Sequence, residues 1–281
     1  MHVRQICAFS DVLAGYDYAV HLSASDWAWE FLRRNGRFQE NARAQAPDIA
    51  SEAVDAQTTC LTLLRRDRLA EAWGLIFFPN PDLTARTTDV FWSDRAFPRK
   101  IALLGRERAT DEPDELFDEA LAAGHRTHLT DARQREHLLI RAGRGALQVR
   151  YRGQPLFAGH PLKCDVSLPS ISRAGAQADI VSEARRLFGT DTVGVPGLTQ
   201  KTLRLRNALV TLDAHTAGLT YRETAMILHG EERVSEAWRH DPAPMKSSMA
   251  RLLRTGQRLC NGGYFRLMAN HRLANRHARS D

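Results

Sequence analysis

The hydrophobic period of this 281-residue chain changes twice along its length. Apolar residues recur at helical spacing near the start, alternate every second residue between about 89 and 168, and return to helical spacing from about 179 onwards. Alternation is typical of half-buried strands, and a period near 3.6 is typical of amphipathic helices. The pattern therefore predicts an α+β fold with an N-terminal helical segment, a small antiparallel sheet in the middle and a C-terminal helical domain.

The same pattern divides the chain into three predicted segments. We predict an N-terminal helical domain at 1–85, an antiparallel β region at 86–168 and a C-terminal helical domain at 169–281. A domain typically has about 100–200 residues, so this length suits two domains with a small third. Residues 46–59 are small and polar, which favours a linker.

The stretch SDWAWEFLRRNGRF predicts an aromatic-rich amphipathic helix near the N-terminus. Ser23 followed by Asp26 is typical of a capping box, in which each residue satisfies a backbone donor at the helix start. Trp27 and Trp29 are expected in the core because large apolar side chains are usually buried. An aromatic-rich helix of this kind suits a core or a protein contact better than a DNA groove, so we expect it to serve activation more than DNA binding.

Three stretches of the middle segment predict strands. They are DVFW at 89–92, RKIALLG at 99–105 and the hairpin EHLLIRAGRGALQVRYRG at 136–153. The acidic stretch at 108–125 is expected to be a loop with a short helix, and 179–189 is expected to be a helix.

The sequence offers no motif that would identify a reaction. P-loop, Rossmann and G-x-S-x-G patterns are absent from it. His125, His128 and His137 are close in sequence, but strand alternation does not make them converge as metal ligands must. We therefore predict no catalytic residue, metal or cofactor.

Cysteine usage and hydropathy favour a cytoplasmic protein. The four cysteines lie far apart and form no C-x-x-C pair, which is typical of reduced thiols. No stretch approaches the roughly 18 apolar residues of a membrane span, and the first residues lack the apolar run of a signal peptide. We expect a soluble protein with no membrane contact.

Positive charge is concentrated in the last part of the chain. Residues 244–281 carry eight basic side chains and one acidic side chain, Asp281, so this segment has a formal charge of +7 while the whole chain has +6. The eight are Lys246, Arg251, Arg254, Arg258, Arg266, Arg272, Arg276 and Arg279. A basic terminal segment on a near-neutral body is typical of a protein that binds a polyanion.

The basic segment follows a pattern that resembles an extended helix-turn-helix. Thr220 and Glu223 form a second capping box, which predicts a helix over residues 220–228. A second helix is predicted from about 242 to 260, with Asp241 as its N-cap. The residues between them exceed an ordinary turn of three or four residues, and the i,i+4 pair Val234 and Trp238 predicts a short inserted helix.

The second helix carries two stripes. An apolar stripe at 4-3-4-3 spacing predicts a buried face made of Met245, Met249, Leu252, Gly256 and Leu259. A polar and basic stripe predicts a DNA-binding face made of Lys246, Ser247, Ser248, Arg251, Arg254 and Arg258. The inserted helix is a poorer candidate for DNA contact because its glutamates would repel phosphate.

Two alternatives stay open at this point. The C-terminal helices could form an ordinary bundle with solvated arginines. They could also bind a partner protein instead of DNA, as an antiactivator or adaptor would.

The stretches LTLDAHTAGLTYRETAMILHGEERVSEAWRHDP and MARLLRTGQRLCNGGYFRLM resemble a C-terminal domain family of proteobacterial mobile elements. YRETAMIL followed by MKSSMARLLRTGQRL is also similar to the helix-turn-helix of region 4 of bacterial sigma factors. The N-terminal stretch YDYAVHLSASDWAWEFLRRNGRF resembles a companion transcriptional regulator-like domain. Together the two domains resemble the activators of excision of integrative and conjugative elements.

This resemblance implies a function and partners. Those activators switch on the gene for a recombination directionality factor, after which the element excises. The implied partners are double-stranded promoter DNA, RNA polymerase and a small antiactivator protein, because the C-terminal domain also occurs alone as an antiactivator that binds its activator.

Overall fold

The computed structural model describes residues 11–45, 47–98, 100–112, 124–142, 145–156, 162–167 and 199–269. The chain begins there with helices: a short 3-10 turn at Asp17–His21, helix α1 at Ala24–Leu32 and helix α2 at Gly36–Ala44. The predicted capping box at the start of α1 is confirmed, since the Ser23 side chain accepts from the Asp26 N–H and the Asp26 carboxylate accepts from the Ser23 N–H.

A mixed seven-stranded sheet follows. Its strands are β1 Ile49–Asp55, β2 Thr58–Leu63, β3 Ile101–Glu107, β4 His125–Thr130, β5 Glu136–Ala142, β6 Gly145–Gly153 and β7 Leu162–Ser167. Their order across the sheet is β1-β2-β4-β5-β6-β3-β7. Helix α3, at Arg68–Ala72, lies in the chain between β2 and β3.

The α+β class is confirmed, but the sheet differs from the predicted small antiparallel one. The β5–β6 hairpin is antiparallel as predicted, whereas β2 pairs with β4 and β3 pairs with β6 in parallel. Parallel neighbours need a long crossover between them, and a local alternation pattern carries no information about such distant pairing. The acidic stretch expected to hold a short helix and the helix expected at 179–189 lie largely or wholly outside the described residues.

Two local predictions in this region are wrong. The stretch 46–59, expected to be a linker, contains β1 and the first residues of β2. Its small polar residues suit an edge strand because both of its faces are largely exposed to solvent. The stretch 89–92, expected to be a strand, contributes a single bridge between Trp92 and Leu75.

The segment around Trp92 lies between the sheet and the helices. The side-chain amide of Gln148 on β6 accepts from the Trp92 N–H and donates to the Trp92 carbonyl, both at 3.0 Å. The Gln148 side chain thus makes the two hydrogen bonds that a neighbouring strand would otherwise make to the buried Trp92 backbone. The other face of Trp92 packs against Tyr264, with ring centroids 5.9 Å apart.

The C-terminal part is helical, as predicted. It contains α4 Gln200–Thr216, α5 Tyr221–His229, α6 Glu231–His240, α7 Ala243–Arg258 and α8 Phe265–Ala269, with a π-type turn at Leu259–Gly263 before α8.

The N-terminal helix α1 and the C-terminal helices share one hydrophobic core. Trp27, Trp29 and Phe31 of α1 are fully buried, and their cluster also contains Leu209 of α4 and Leu253 of α7. Burial of both tryptophans confirms the core prediction. Every residue of α1 from Asp26 to Leu32 is buried, so this helix is covered on all sides.

An ion cluster joins α1 to α4 across 179 residues of sequence. The Arg34 guanidinium, just beyond α1, donates to both carboxylate oxygens of Asp213, at 2.6 and 2.8 Å. It also donates to Glu30 at 2.7 Å, and the Tyr16 hydroxyl donates to Asp213 at 2.7 Å. Burial opposes ionisation of Glu30, but Arg33 and Arg34 outweigh it and hold the pKa of Glu30 below its usual value.

Removing one partner of this cluster should destabilise the protein. We expect Asp213→Asn to lower the free energy of unfolding by about 2–3 kcal/mol, because Arg34 would keep its charge in a largely buried site. Thermal and urea denaturation measure this. The matched control is Asp82→Asn, since Asp82 pairs with Arg43 at 2.7 Å in an exposed position and should matter by less than about 1 kcal/mol. If the two variants lost the same free energy of unfolding, the buried cluster would contribute no more to stability than the exposed Arg43–Asp82 pair.

Helices α4 and α7 cross closely at Gly256. A Cβ placed there would lie 2.8 Å from the Ala208 carbonyl oxygen and 3.1 Å from the Leu212 Cβ. The missing side chain therefore lets the two backbones approach.

Gly256→Ala should lower the stability by about 1–3 kcal/mol, even though alanine is the better helix former, because the new methyl group would push against backbone. Gly36→Ala is the control. A Cβ at Gly36 would meet nothing within 4 Å, so that variant should melt at or slightly above the wild-type temperature. A stabilised Gly256→Ala variant would show that the helix crossing tolerates a wider separation.

Candidate nucleic-acid interface

The helix-turn-helix region consists of three consecutive helices. Helix α5 begins at the predicted capping box, in which Thr220 and Glu223 bond reciprocally. Hydrogen bonds from the Thr220 N–H and hydroxyl lower the pKa of Glu223. The predicted inserted helix is confirmed as α6, which has ten residues and is joined to α5 by Gly230 alone, with φ at 84°. Positive φ is where glycine is preferred, so this sharp junction depends on the residue type.

A small core holds the three helices together. Ala225 of α5, Val234 of α6 and Met249 of α7 are fully buried against one another. Trp238 packs on this cluster from α6, as its spacing from Val234 predicts. The inserted helix therefore shares a core with α7.

Helix α7 starts one residue later than predicted. Pro242 occupies the capping position and Ala243 is the first helical residue. Asp241 still acts at the helix start, since its carboxylate accepts from the Ala243 N–H at 3.0 Å.

One side of α7 faces the protein. Met249, Gly256 and the following Leu259 are buried as predicted, whereas Met245 and Leu252 are half-buried. Leu253, which the predicted stripe omits, is also buried. The buried side is therefore centred slightly away from the predicted one.

The opposite side of α7 carries a row of exposed polar and basic side chains. We call this the arginine row, and it consists of Ser247, Arg251, Arg254 and Arg258. Each residue of an α-helix advances by about 100°, which places the row within about 50° of the direction opposite to the buried side. The row is about 16 Å long at 1.5 Å per residue.

The other two predicted contact residues lie beside the row. Lys246 is exposed near the start of α7 but lies on the flank, about 100° around the helix from the row. Ser248 is half-buried on the other flank. The structure thus brings four of the six predicted side chains into one line and leaves two at its margins.

The arginine row is free of neutralising acid. The sequence has no aspartate or glutamate between residues 242 and 269. Within the described ranges, no carboxylate lies within ion-pair distance of Arg251, Arg254 or Arg258. Uncompensated guanidinium groups on a solvent-facing row attract phosphate.

The outward side of α6 is different. Glu232 and Glu236 are exposed there beside Arg239, so acids and bases are mixed. Such a surface offers phosphate little net attraction. The contrast between the two helices supports α7 as the better candidate for nucleic-acid contact.

Residues from the N-terminal part meet the end of α7, which the sequence did not predict. The Asn35 amide donates to the Cys260 carbonyl at 3.2 Å and to the Asn261 side-chain oxygen at 3.0 Å. Its own oxygen accepts from the Phe38 N–H and so caps α2. In the sequence, Asn35 followed by Gly36 is typical of a helix C-terminus. No local pattern links Asn35 to residues more than 220 positions away.

Two family models match the sequence. Residues 173–269 match the model described as “T6SS, Transcription factor, DNA binding domain”, and residues 13–78 match the “Proteobacterial transcriptional regulator-like domain”. The first match includes every helix from α4 to α8, and the second includes α1 to α3 with the β1–β2 hairpin. No curated protein matches the chain.

The chain thus combines a transcriptional regulator-like domain with a DNA-binding domain, and the two matches support a DNA-binding transcription regulator. Both families are regulatory or DNA-binding families, and neither is a family of enzymes.

The part of the chain that the structure describes offers no cluster of metal ligands. It contains no group of three or more histidine, cysteine, aspartate or glutamate side chains that could hold a metal ion. The register places Leu138 opposite His128 and Leu129 opposite His137, so these two imidazoles lie on opposite faces of the sheet. No helix there is long and apolar enough to cross a bilayer.

Trp238→Ala should lower the stability of the C-terminal helices through lost packing on the α5–α6–α7 core. We expect a loss of about 2 kcal/mol, seen as a lower melting temperature by circular dichroism. Tyr221→Ala is the control, because this aromatic side chain is 37% exposed and should change stability by less than about 1 kcal/mol. An unchanged melting temperature for Trp238→Ala would show that α6 does not support α7.

Proposed function

We propose that the protein is a transcriptional activator that binds double-stranded DNA through helix α7. The observation that carries the proposal is the arginine row, which faces solvent, opposes the buried side of the helix and has no acidic neighbour in its own segment. The major groove is about 12 Å wide and admits an α-helix. The row, about 16 Å long, is long enough to lie along it.

The side chains of the row take different roles in this proposal. Residues in the first turns of a recognition helix usually reach base edges, and later ones usually reach phosphate. Arg251 and Arg254 therefore form the centre of the contact, with Lys246, Ser247 and Ser248 near the helix start. Arg258 contacts the flanking backbone.

We further propose that the target is a gene for excision or transfer of a mobile element, such as a directionality-factor gene. The support is the resemblance of both terminal stretches to excision activators of integrative and conjugative elements. RNA polymerase and a small antiactivator are the corresponding protein partners. A reporter fused to promoters from such an element, measured with and without the protein, tests this part.

A salt titration separates DNA binding from binding of a partner protein. We expect affinity for a random duplex to fall steeply as salt rises, with a slope of about −0.9 for each phosphate contacted. Fluorescence anisotropy of a labelled duplex gives this slope directly. No binding at low salt, or binding without salt dependence, would favour a regulator whose C-terminal domain binds a partner protein.

Substitutions in the row should separate base contacts from phosphate contacts. Arg251→Ala is expected to cost about 1–3 kcal/mol on the operator and to relax specificity if it reads a guanine edge. Arg258→Ala should weaken all sequences alike and lower the salt slope by about one unit. Anisotropy on cognate and scrambled duplexes measures both effects.

The control is Gln257→Ala on the same helix. Gln257 is exposed but lies about 100° from the row, so its loss should leave affinity within about twofold of wild type. If Arg251→Ala and Arg254→Ala both bound DNA like wild type, the row would be an ordinary solvated surface and another helix would have to contact the DNA.

A further inference from the structure

The arginine row ends at a groove between the C-terminal and N-terminal parts of the molecule. Its lining consists of Asn35, Gly36, Arg37, Trp73 and Asn261. Asn261 follows Arg258 by only three residues, so the groove opens about one helical turn beyond the last arginine of the row.

Arg37 brings an uncompensated positive charge to this groove. It lies in the first turn of α2, is exposed, and has no carboxylate within ion-pair distance among the described residues. Arg43 at the other end of the same helix differs, because its guanidinium pairs with Asp82 at 2.7 Å. Two arginines on one helix thus have opposite electrostatic surroundings.

The position of Arg37 relative to the row is fixed by hydrogen bonds. Asn35 caps α2 through its side-chain oxygen and donates through its amide to the Cys260 carbonyl and to Asn261. The start of α2 is therefore tied to the end of α7. The Asn261 oxygen is used in this contact, which leaves its exposed amide as a donor for a ligand in the groove.

A guanidinium and an amide donor beside a basic row are the groups that bind a phosphate oxygen. We propose that Arg37 and Asn261 bind a backbone phosphate next to the DNA segment covered by α7, so that the N-terminal region takes a direct part in DNA binding. This inference rests on the proposed function of α7. It differs from the expectation that the N-terminal helix serves activation more than DNA binding.

The test compares full-length wild type with Arg37→Ala, Arg37→Lys and Arg43→Ala. Anisotropy with a labelled duplex over a range of salt concentrations gives affinity and slope for each. Arg37→Ala should bind about three- to tenfold more weakly near 0.1 M salt, equally on all sequences, and should lower the slope by about one unit. Arg37→Lys should keep the slope, and Arg43→Ala should stay within about twofold of wild type because its charge is already neutralised by Asp82.

The possible failures are distinguishable. If Arg37→Ala binds like wild type while Arg258→Ala binds weakly, this inference is wrong and the proposed function of α7 stands. If Arg37→Ala, Arg251→Ala and Arg254→Ala all bind like wild type, both this inference and the proposed function of α7 are wrong. If Arg43→Ala loses as much affinity as Arg37→Ala, the loss follows from the lower net charge of the protein. The assigned phosphate contact of Arg37 is then contradicted. Arg37 and Arg43 are both exposed, so the melting curves of their variants should match that of wild type.

Discussion

The fold depends on Arg34, whose charge is satisfied by carboxylates from two distant parts of the chain. Glu30 lies one turn before it on α1, and Asp213 lies on α4. A buried charge costs several kcal/mol unless it is paired and hydrogen-bonded, so neither Arg34 nor Glu30 can stay in place without the cluster. Glu30 also accepts from the Ala85 N–H at 2.7 Å, which ties the loop that contains Ala85 to the same site. Formation of the N-terminal helices is therefore linked to formation of α4.

That linkage extends to α7, the proposed DNA-binding surface. Helix α4 carries Asp213 on one side and contacts α7 at Gly256 on another, so α7 is held through α4 against the N-terminal helices. At the far end of α7, Asn35 adds a direct connection. Deletion of residues 1–45 would remove Trp27 and its neighbours from the shared core, so such a truncation is expected to unfold the remainder as well. The contribution of the N-terminal region is better tested by substitutions at exposed positions such as Arg37.

Local patterns in the sequence predict the parts of the fold that depend only on interactions between residues close in sequence. Both capping boxes, the inserted helix and the β5–β6 hairpin follow from neighbouring residues, and the structure has them. The four residues of the arginine row could be predicted because helical spacing fixes which side chains share a side of α7.

The parts that the sequence did not predict depend on distant residues. The sequence predicts a linker where strand β1 lies, because an exposed edge strand lacks an alternating apolar pattern. The parallel pairing of β2 with β4 joins segments more than 60 residues apart, and the Asn35–Asn261 contact joins segments 226 residues apart. Asn35 is an ordinary helix-boundary residue by composition, and only the packed structure shows its second role.

Arginine-specific labelling with phenylglyoxal, with and without duplex DNA, tests most directly whether α7 is the DNA-binding surface. Mass spectrometry then gives the reactivity of each arginine. The account predicts that Arg251, Arg254 and Arg258 lose reactivity when DNA is bound, while Arg65, whose side chain is 83% exposed on the sheet side of the molecule, reacts as before. Unchanged reactivity of the three α7 arginines at saturating DNA would contradict it.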